Sequence, residues 1–128
     1  MRILIVEDDK RKLHTILEIL KPEFEYDVAM CEKEAMRLAM QNEYEVLITD
    51  MQFPKEKGEM VQRNAGVELI KKMRETCKGK MPKIIVYSLI PIEKVWERLG
   101  EMPPEEYIGQ VVFHQNLEVL LRKVKGEI

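Results

Sequence analysis

The sequence predicts a doubly wound α/β domain, in which a five-stranded parallel sheet has helices on both faces. Short aliphatic runs alternate five times with segments whose apolar residues recur at helical spacing. Runs such as Ile3–Val6 contain no alternating polar residues, which is typical of strands buried on both faces. Four of the five strands also end in a polar side chain, at the edge where such sheets bind ligands. The expected strand order is 2-1-3-4-5.

Size and composition indicate one soluble domain spanning residues 1–128. The chain is 45% hydrophobic and 34% charged, and its net charge of −2 provides no basic surface for nucleic acid. No apolar run approaches the roughly 20 residues that a membrane span requires, and the N-terminus is a strand pattern rather than a signal peptide. Cys31 and Cys77 have neither metal-binding nor disulfide-framework spacing. We therefore expect a cytoplasmic protein with no membrane or nucleic-acid partner.

The first part of the chain contains three predicted strands and three helices. A strand at 3–6 is followed by a helix that has apolar residues at i, i+3, i+4 and i+7 and ends at Lys21-Pro22. A strand at 26–30 and a helix at 32–41 come next. A strand over 46–49 then leads directly into Asp50, and a helix is expected over 66–73.

The second part repeats the alternation twice. A buried strand over 82–88 ends in Ser88, and a helix follows over 90–99, with Pro91 in its first turn. The fifth strand is predicted over 107–114, centred on residues 111–113. Leu117, Leu120, Leu121 and Val124 define the closing helix.

One connection is unusually long. Residues 51–65 join the third strand to its helix, whereas strand-to-helix loops usually have about 2–6 residues. The favoured interpretation is a solvated insertion, and the alternative is a lid that contacts a partner beside the site.

Carboxylates at two neighbouring strand ends predict a divalent cation site. Glu7 and Asp8 follow the first strand, Asp50 follows the third, and strand order 2-1-3-4-5 makes these strands neighbours. Oxygen ligands favour Mg²⁺. On this interpretation Asp50 could attack phosphorus as a nucleophile, and Ser88 could hydrogen-bond the transferred group. The alternative is a helix cap, the role we expect for Asp9.

These motifs together resemble the receiver domains of two-component response regulators. The matching residues are Ile3–Asp9, Leu47–Asp50, Gly66 and Ile84–Ser88, and the resemblance spans nearly the whole chain. It implies a flavodoxin-like fold and Mg²⁺-dependent transfer of a phosphoryl group to Asp50 from a histidine kinase or phosphotransfer protein. It further implies metal ligands at Glu7, Asp8, Asp50 and the Gln52 backbone carbonyl, with Ser88 as the phosphoryl-contacting hydroxyl.

The chain departs from the receiver pattern at three positions. His114 stands at the usual lysine of the fifth strand, Val111 at the switch aromatic, and Leu89 at the usual small residue after the hydroxyl. A neutral imidazole supplies no fixed charge. The acid ligands and the acceptor are retained, so phosphorylation of Asp50 is still expected. The three departures affect the conformational response that would follow it.

Three functions compete. The favoured hypothesis is a stand-alone phosphorylation switch that is not an enzyme in the usual sense. Its expected output is contact with a downstream protein through the face of helix four, strand five and helix five, and a homodimer is one option for its assembly. The alternative is a pseudo-receiver that signals without phosphate. The third is an Mg²⁺-dependent phosphatase, which Gln52 disfavours because such enzymes need a proton-donating acid near the nucleophile.

Overall fold

A computed structural model gives the structure of residues 2–20, 23–77, 81–100, 106–110 and 117–126, with the backbone alone described for Ile92 and for 106–110. The strands are β1 (Arg2–Val6), β2 (Glu25–Ala29), β3 (Val46–Thr49), β4 (Phe53–Pro54), β5 (Val61–Gln62), β6 (Lys83–Ser88) and β7 (Glu106–Gln110). The helices are α1 (Lys10–Leu20), α2 (Glu32–Gln41), α3 (Ala65–Thr76), α4 (Ile92–Leu99) and α5 (Leu117–Lys125).

The main sheet confirms the predicted flavodoxin-like topology. Its five strands lie in the order β2-β1-β3-β6-β7 and all neighbouring pairs are parallel. With β4 and β5 set aside as a separate hairpin, this is the predicted order 2-1-3-4-5. The first and third strands are therefore neighbours at the centre of the sheet.

The core lies on both faces of this sheet, as expected for uninterrupted aliphatic strands. Successive side chains of a strand point to opposite faces. Ile3 and Ile5 thus belong to a cluster with residues of α1 and α5, whereas Leu4 and Val6 belong to a second cluster with residues of α2, α3 and α4. Burial on both faces explains why β1 contains no polar residue between Ile3 and Val6.

The helices match the predicted ones within a few residues. α2 has the predicted bounds, and α1 ends at Leu20, with the predicted stop at Lys21-Pro22 outside the described residues. α4 begins two residues later than predicted, because Pro91 is its N-cap and not part of its first turn. The residue before a proline avoids the helical region, so Ile90 cannot begin the helix. None of the described helices is long and apolar enough to cross a membrane.

The segment 51–65 is exposed over most of its length, as a solvated insertion predicts, but it also contains a short hairpin. Phe53-Pro54 pairs with Val61-Gln62 as an antiparallel hairpin. Phe53 and Pro54 are buried, whereas residues 55–64 are exposed. The first strand of the hairpin therefore belongs to the core, while its tip and its second strand lie in solvent. Two-residue strands give no periodic signal in a sequence, which is why the hairpin was missed.

The described part of the fifth strand begins one residue earlier than predicted. β7 covers Glu106–Gln110, with a register irregularity between Val86 and Tyr87 of β6, and places Gln110 beside Ser88. The predicted centre of this strand at residues 111–113 lies outside the described residues, as does His114.

Gly66 allows α3 to pack directly against the chain that leaves β3. A Cβ at this position would lie 2.5 Å from the Asp50 carbonyl oxygen and 2.9 Å from the Met51 Cα, both backbone atoms. The Gly66 amide donates to the Met51 carbonyl at 3.0 Å. The absence of a side chain at Gly66 therefore helps to fix the position of Asp50.

We expect Gly66→Ala to lower the free energy of unfolding by about 1–3 kcal/mol, because the added methyl group forces the backbone apart. Urea denaturation measures this loss. Gly58→Asn is the matched control, because Gly58 has φ +86° and open space around it, and asparagine tolerates positive φ. A Gly66→Ala protein as stable as the wild type would contradict the close approach.

Candidate functional site

The site lies where β1 and β3 end side by side. Val6 pairs with Thr49, so the next residues, Glu7 and Asp50, leave the sheet at the same edge. Their backbones are still fixed there, because the Asp50 amide donates to the Val6 carbonyl at 3.1 Å and the Glu7 amide to the Ala29 carbonyl at 3.0 Å. Neighbouring strands therefore hold both acids in place.

Glu7, Asp8 and Asp50 form one carboxylate cluster. One carboxylate oxygen from each lies within 4.8 Å of the others. Glu7 is almost fully buried, with 1% of its surface exposed, and Asp8 and Asp50 are half-buried. Three converging oxygen donors are the ligand type that Mg²⁺ prefers, so these residues fit a divalent cation. The structure brings together the three side chains that the sequence predicted.

A lysine that sequence reasoning did not single out also enters the cluster. Lys12 Nζ lies 3.1 Å from Glu7 Oε1 and 3.1 Å from Asp50 Oδ2. Its side chain is only 18% exposed. The ammonium group therefore bridges acids from two strands.

The sequence did contain a signal for Lys12. Residues four apart lie on the same face of a helix. Lys12 lies four residues before Ile16 and eight residues before Leu20, so the three share one face. Both of those residues are buried against the sheet. Lys12 thus belongs to the inward stripe of α1, at the helix end nearest the acids.

Burial and crowding perturb the charges of the cluster. Burial, and then the nearby charge of Asp50, raise the pKa of Glu7 from 4.5 to about 7, although Lys12 opposes the rise. Burial also raises the pKa of Asp8, with a smaller contribution from Asp50. Burial lowers the pKa of Lys12, but the carboxylates of Asp50 and Glu7 outweigh it and raise the pKa overall. Lys12 is therefore charged at neutral pH, while Glu7 is close to its midpoint.

Asp9, the third consecutive acid, caps α1 as expected. Its Oδ1 accepts hydrogen bonds from the Arg11 amide at 2.9 Å and the Lys12 amide at 3.3 Å. The Asp9 amide in turn donates to Glu7 Oε2 at 3.1 Å. Asp9 thus links the N-terminal cap of α1 to the carboxylate cluster.

Comparison with solved structures identifies the fold. A CheY-like response regulator receiver domain protein from Methanospirillum hungatei JF-1 is 25% identical, with a TM-score of 0.76 and coverage of 98% of this chain and 90% of that one. The chemotaxis response regulator CheY4 of Vibrio cholerae is 19% identical, with a TM-score of 0.76 and coverage of 98% and 96%. The chain has the receiver fold.

A third similar structure is a complex with a bound ligand. It is the response regulator TrrA from Thermotoga maritima in complex with Mg²⁺-BeF, which is 24% identical, with a TM-score of 0.70 and coverage of 96% of this chain and 97% of that one. No protein-family model matches the chain, and no curated protein matches its sequence. The likeness to receivers is therefore structural.

The structure describes three of the remaining residues of the receiver pattern, namely Ser88, Gln52 and Leu89. Ser88 is buried at the end of β6, and its Oγ accepts a hydrogen bond from the Ile90 amide at 3.2 Å. The Gln52 side chain is exposed, and the role of its carbonyl stays a prediction. Leu89 is 58% exposed. His114 and Val111 lie outside the described residues, so their roles also stay predictions.

The raised pKa of Glu7 predicts a pH dependence of stability. Between pH 4.5 and about 7 the folded protein binds a proton that the unfolded chain has lost, so the free energy of unfolding falls as pH rises through this window. The loss is at most on the order of 3 kcal/mol. Glu7→Gln should flatten this part of the profile, measured by urea denaturation from pH 4 to pH 8.

Glu59→Gln is the control for this profile, because it neutralises an exposed glutamate of the hairpin. It should leave the wild-type slope unchanged. A Glu7→Gln profile that is as steep as the wild type would exclude Glu7 as the group responsible.

Proposed function

We propose that the chain is a response regulator receiver that accepts a phosphoryl group on Asp50, with Mg²⁺ bound by Glu7, Asp8 and Asp50. The observation on which this depends is the convergence of these three carboxylates at the end of the two central strands. The structural likeness to TrrA, described as a complex with Mg²⁺-BeF, supports the choice of ligands. A histidine kinase or a phosphotransfer protein would be the donor.

The backbone around Asp50 suits a nucleophile that must stay fixed during transfer. The Met51 amide donates to Asp50 Oδ1 at 2.7 Å, and Oδ2 faces Lys12. An Asp50 oxygen would bond to phosphorus while the bond from phosphorus to the donor's leaving group breaks, which yields an acyl phosphate. The metal would neutralise charge on the phosphoryl oxygens. The Gln52 carbonyl is proposed as a further ligand.

Ser88 is proposed to contact the phosphoryl group from the neighbouring strand. Val86 pairs with Thr49, so β6 runs beside the strand that ends in Asp50 and places Ser88 beyond it. The Ser88 hydroxyl accepts from the Ile90 amide, and its own proton remains available to donate to a phosphoryl oxygen. His114 is proposed for the position of the usual lysine.

The output is proposed to be a protein contact made by the face of α4, β7 and α5 in a cytoplasmic protein. Trp96 on α4 and Val119 on α5 are 44% and 39% exposed, which leaves apolar area for a partner. Phosphorylation of Asp50 would shift this face relative to the site, and a downstream protein would recognise the shifted face.

The Lys12 bridge favours one alternative function, a pseudo-receiver that binds its partner without phosphate. An ammonium group already paired with Glu7 and Asp50 stabilises the site in the absence of metal. Such a module would keep its fold and its contact face with Asp50 unmodified.

Labelling with acetyl phosphate distinguishes the two functions. The receiver should gain the mass of one phosphoryl group in the presence of Mg²⁺ and none when Mg²⁺ is chelated, as measured by intact-protein mass spectrometry. Asp50→Asn should gain none, because the amide is not a nucleophile of comparable strength.

Asp9→Asn is the matched control for this experiment. Asparagine can still cap α1, and Asp9 lies outside the carboxylate cluster, so labelling should match the wild type. Equal labelling of Asp50→Asn would exclude Asp50 as the acceptor. A wild-type protein that is not labelled at saturating donor and Mg²⁺ would favour the pseudo-receiver.

A further inference from the structure

The Lys12 ammonium contacts two of the three carboxylates that would bind a metal. It contacts Glu7 Oε1 and Asp50 Oδ2, both at 3.1 Å. A magnesium ion bound by those carboxylates would lie about 2.0–2.1 Å from their oxygens. Two cations so close together repel strongly in a half-buried site. The ammonium and the metal therefore cannot both occupy this position.

The position of Lys12 is built into the fold. The Asp9 side chain caps α1 and accepts from the Lys12 amide. Ile16 and Leu20, on the same stripe of α1, are buried against the sheet and fix the rotation of the helix. This anchoring places the Lys12 stem over the sheet edge and its ammonium group between the acids.

Lys12 is also the cation that the described part of the chain brings to Asp50. Among the described side chains, it is the one basic group that forms an ion pair with Asp50.

We propose that Lys12 is a built-in counter-ion that a divalent cation must displace from Glu7 and Asp50, so that this lysine sets the metal affinity of the site. Without metal, the ammonium balances carboxylates that would otherwise repel one another. With metal, it leaves the cluster and becomes more exposed. The inference rests on the proposed metal site, and it assigns to α1 a regulatory role at that site.

Magnesium binding by the wild type, Lys12→Gln and Lys10→Gln tests the proposal. Isothermal titration calorimetry should show that Lys12→Gln binds Mg²⁺ at least about tenfold more tightly than the wild type, since the competing ion pairs are removed. Lys10→Gln removes the same charge from the exposed start of the same helix turn and should change the affinity by less than about twofold.

The outcomes separate this inference from the proposed function. Equal or weaker binding by Lys12→Gln, beside measurable binding by the wild type, overturns the counter-ion role and leaves the metal site intact. Equal tightening by Lys10→Gln also overturns it, since net charge alone would then explain the effect. No binding by any of the three proteins overturns both the counter-ion and the proposed metal site.

A measurement on the wild type covers the case in which Lys12→Gln does not fold. Amine acetylation mapped by mass spectrometry reports how accessible each lysine is. Saturating Mg²⁺ should increase the acetylation rate of Lys12 several-fold and leave that of Lys10 unchanged, because only Lys12 is released from an ion pair. An unchanged rate at Lys12 would contradict displacement.

Discussion

The parallel pairing of β1 with β3 places like charges beside one another, and the chemistry of this chain depends on how that repulsion is balanced. Glu7 and Asp50 follow paired residues of the two strands, so the sheet hydrogen bonds hold them together. A buried carboxylate next to another is unfavourable unless a cation is near. Burial of Glu7, and then the nearby charge of Asp50, raise the pKa of this carboxyl group. A lysine or a metal ion can reduce the repulsion, and in the proposed site the two compete for Glu7 and Asp50.

Much of the fold could be predicted because its signals are local and repeated. The uninterrupted run Ile3–Val6 indicated a strand buried on both faces, and the sheet order then made Glu7 and Asp50 neighbours. The same logic explains why the carboxylate cluster was found without a structure. Each acid directly follows a strand, so the topology alone brings the acids together.

The parts that were missed depend on three-dimensional packing. In the sequence, Lys12 resembles any charged residue near the start of a helix. Its contact with Glu7 follows from the orientation of α1 against the sheet, which the packing of Ile16 and Leu20 fixes. The hairpin of Phe53-Pro54 and Val61-Gln62 is too short for a periodic pattern. The register irregularity between Val86 and Tyr87, which sets the pairing of β7 with β6, also gives no signal in the sequence.

In the proposed site, Glu7, Asp8 and Asp50 share one cation position, which Lys12 holds when no metal is bound. Paramagnetic Mn²⁺ tests it most directly, because it broadens nuclear magnetic resonance signals near the ion. Substoichiometric Mn²⁺ should first broaden the amide signals of Glu7, Asp8, Asp50 and Met51, and excess Mg²⁺ should reverse this broadening. Broadening that begins at other acids, such as Glu56 and Glu59 of the hairpin tip, and spares Asp50 would contradict it.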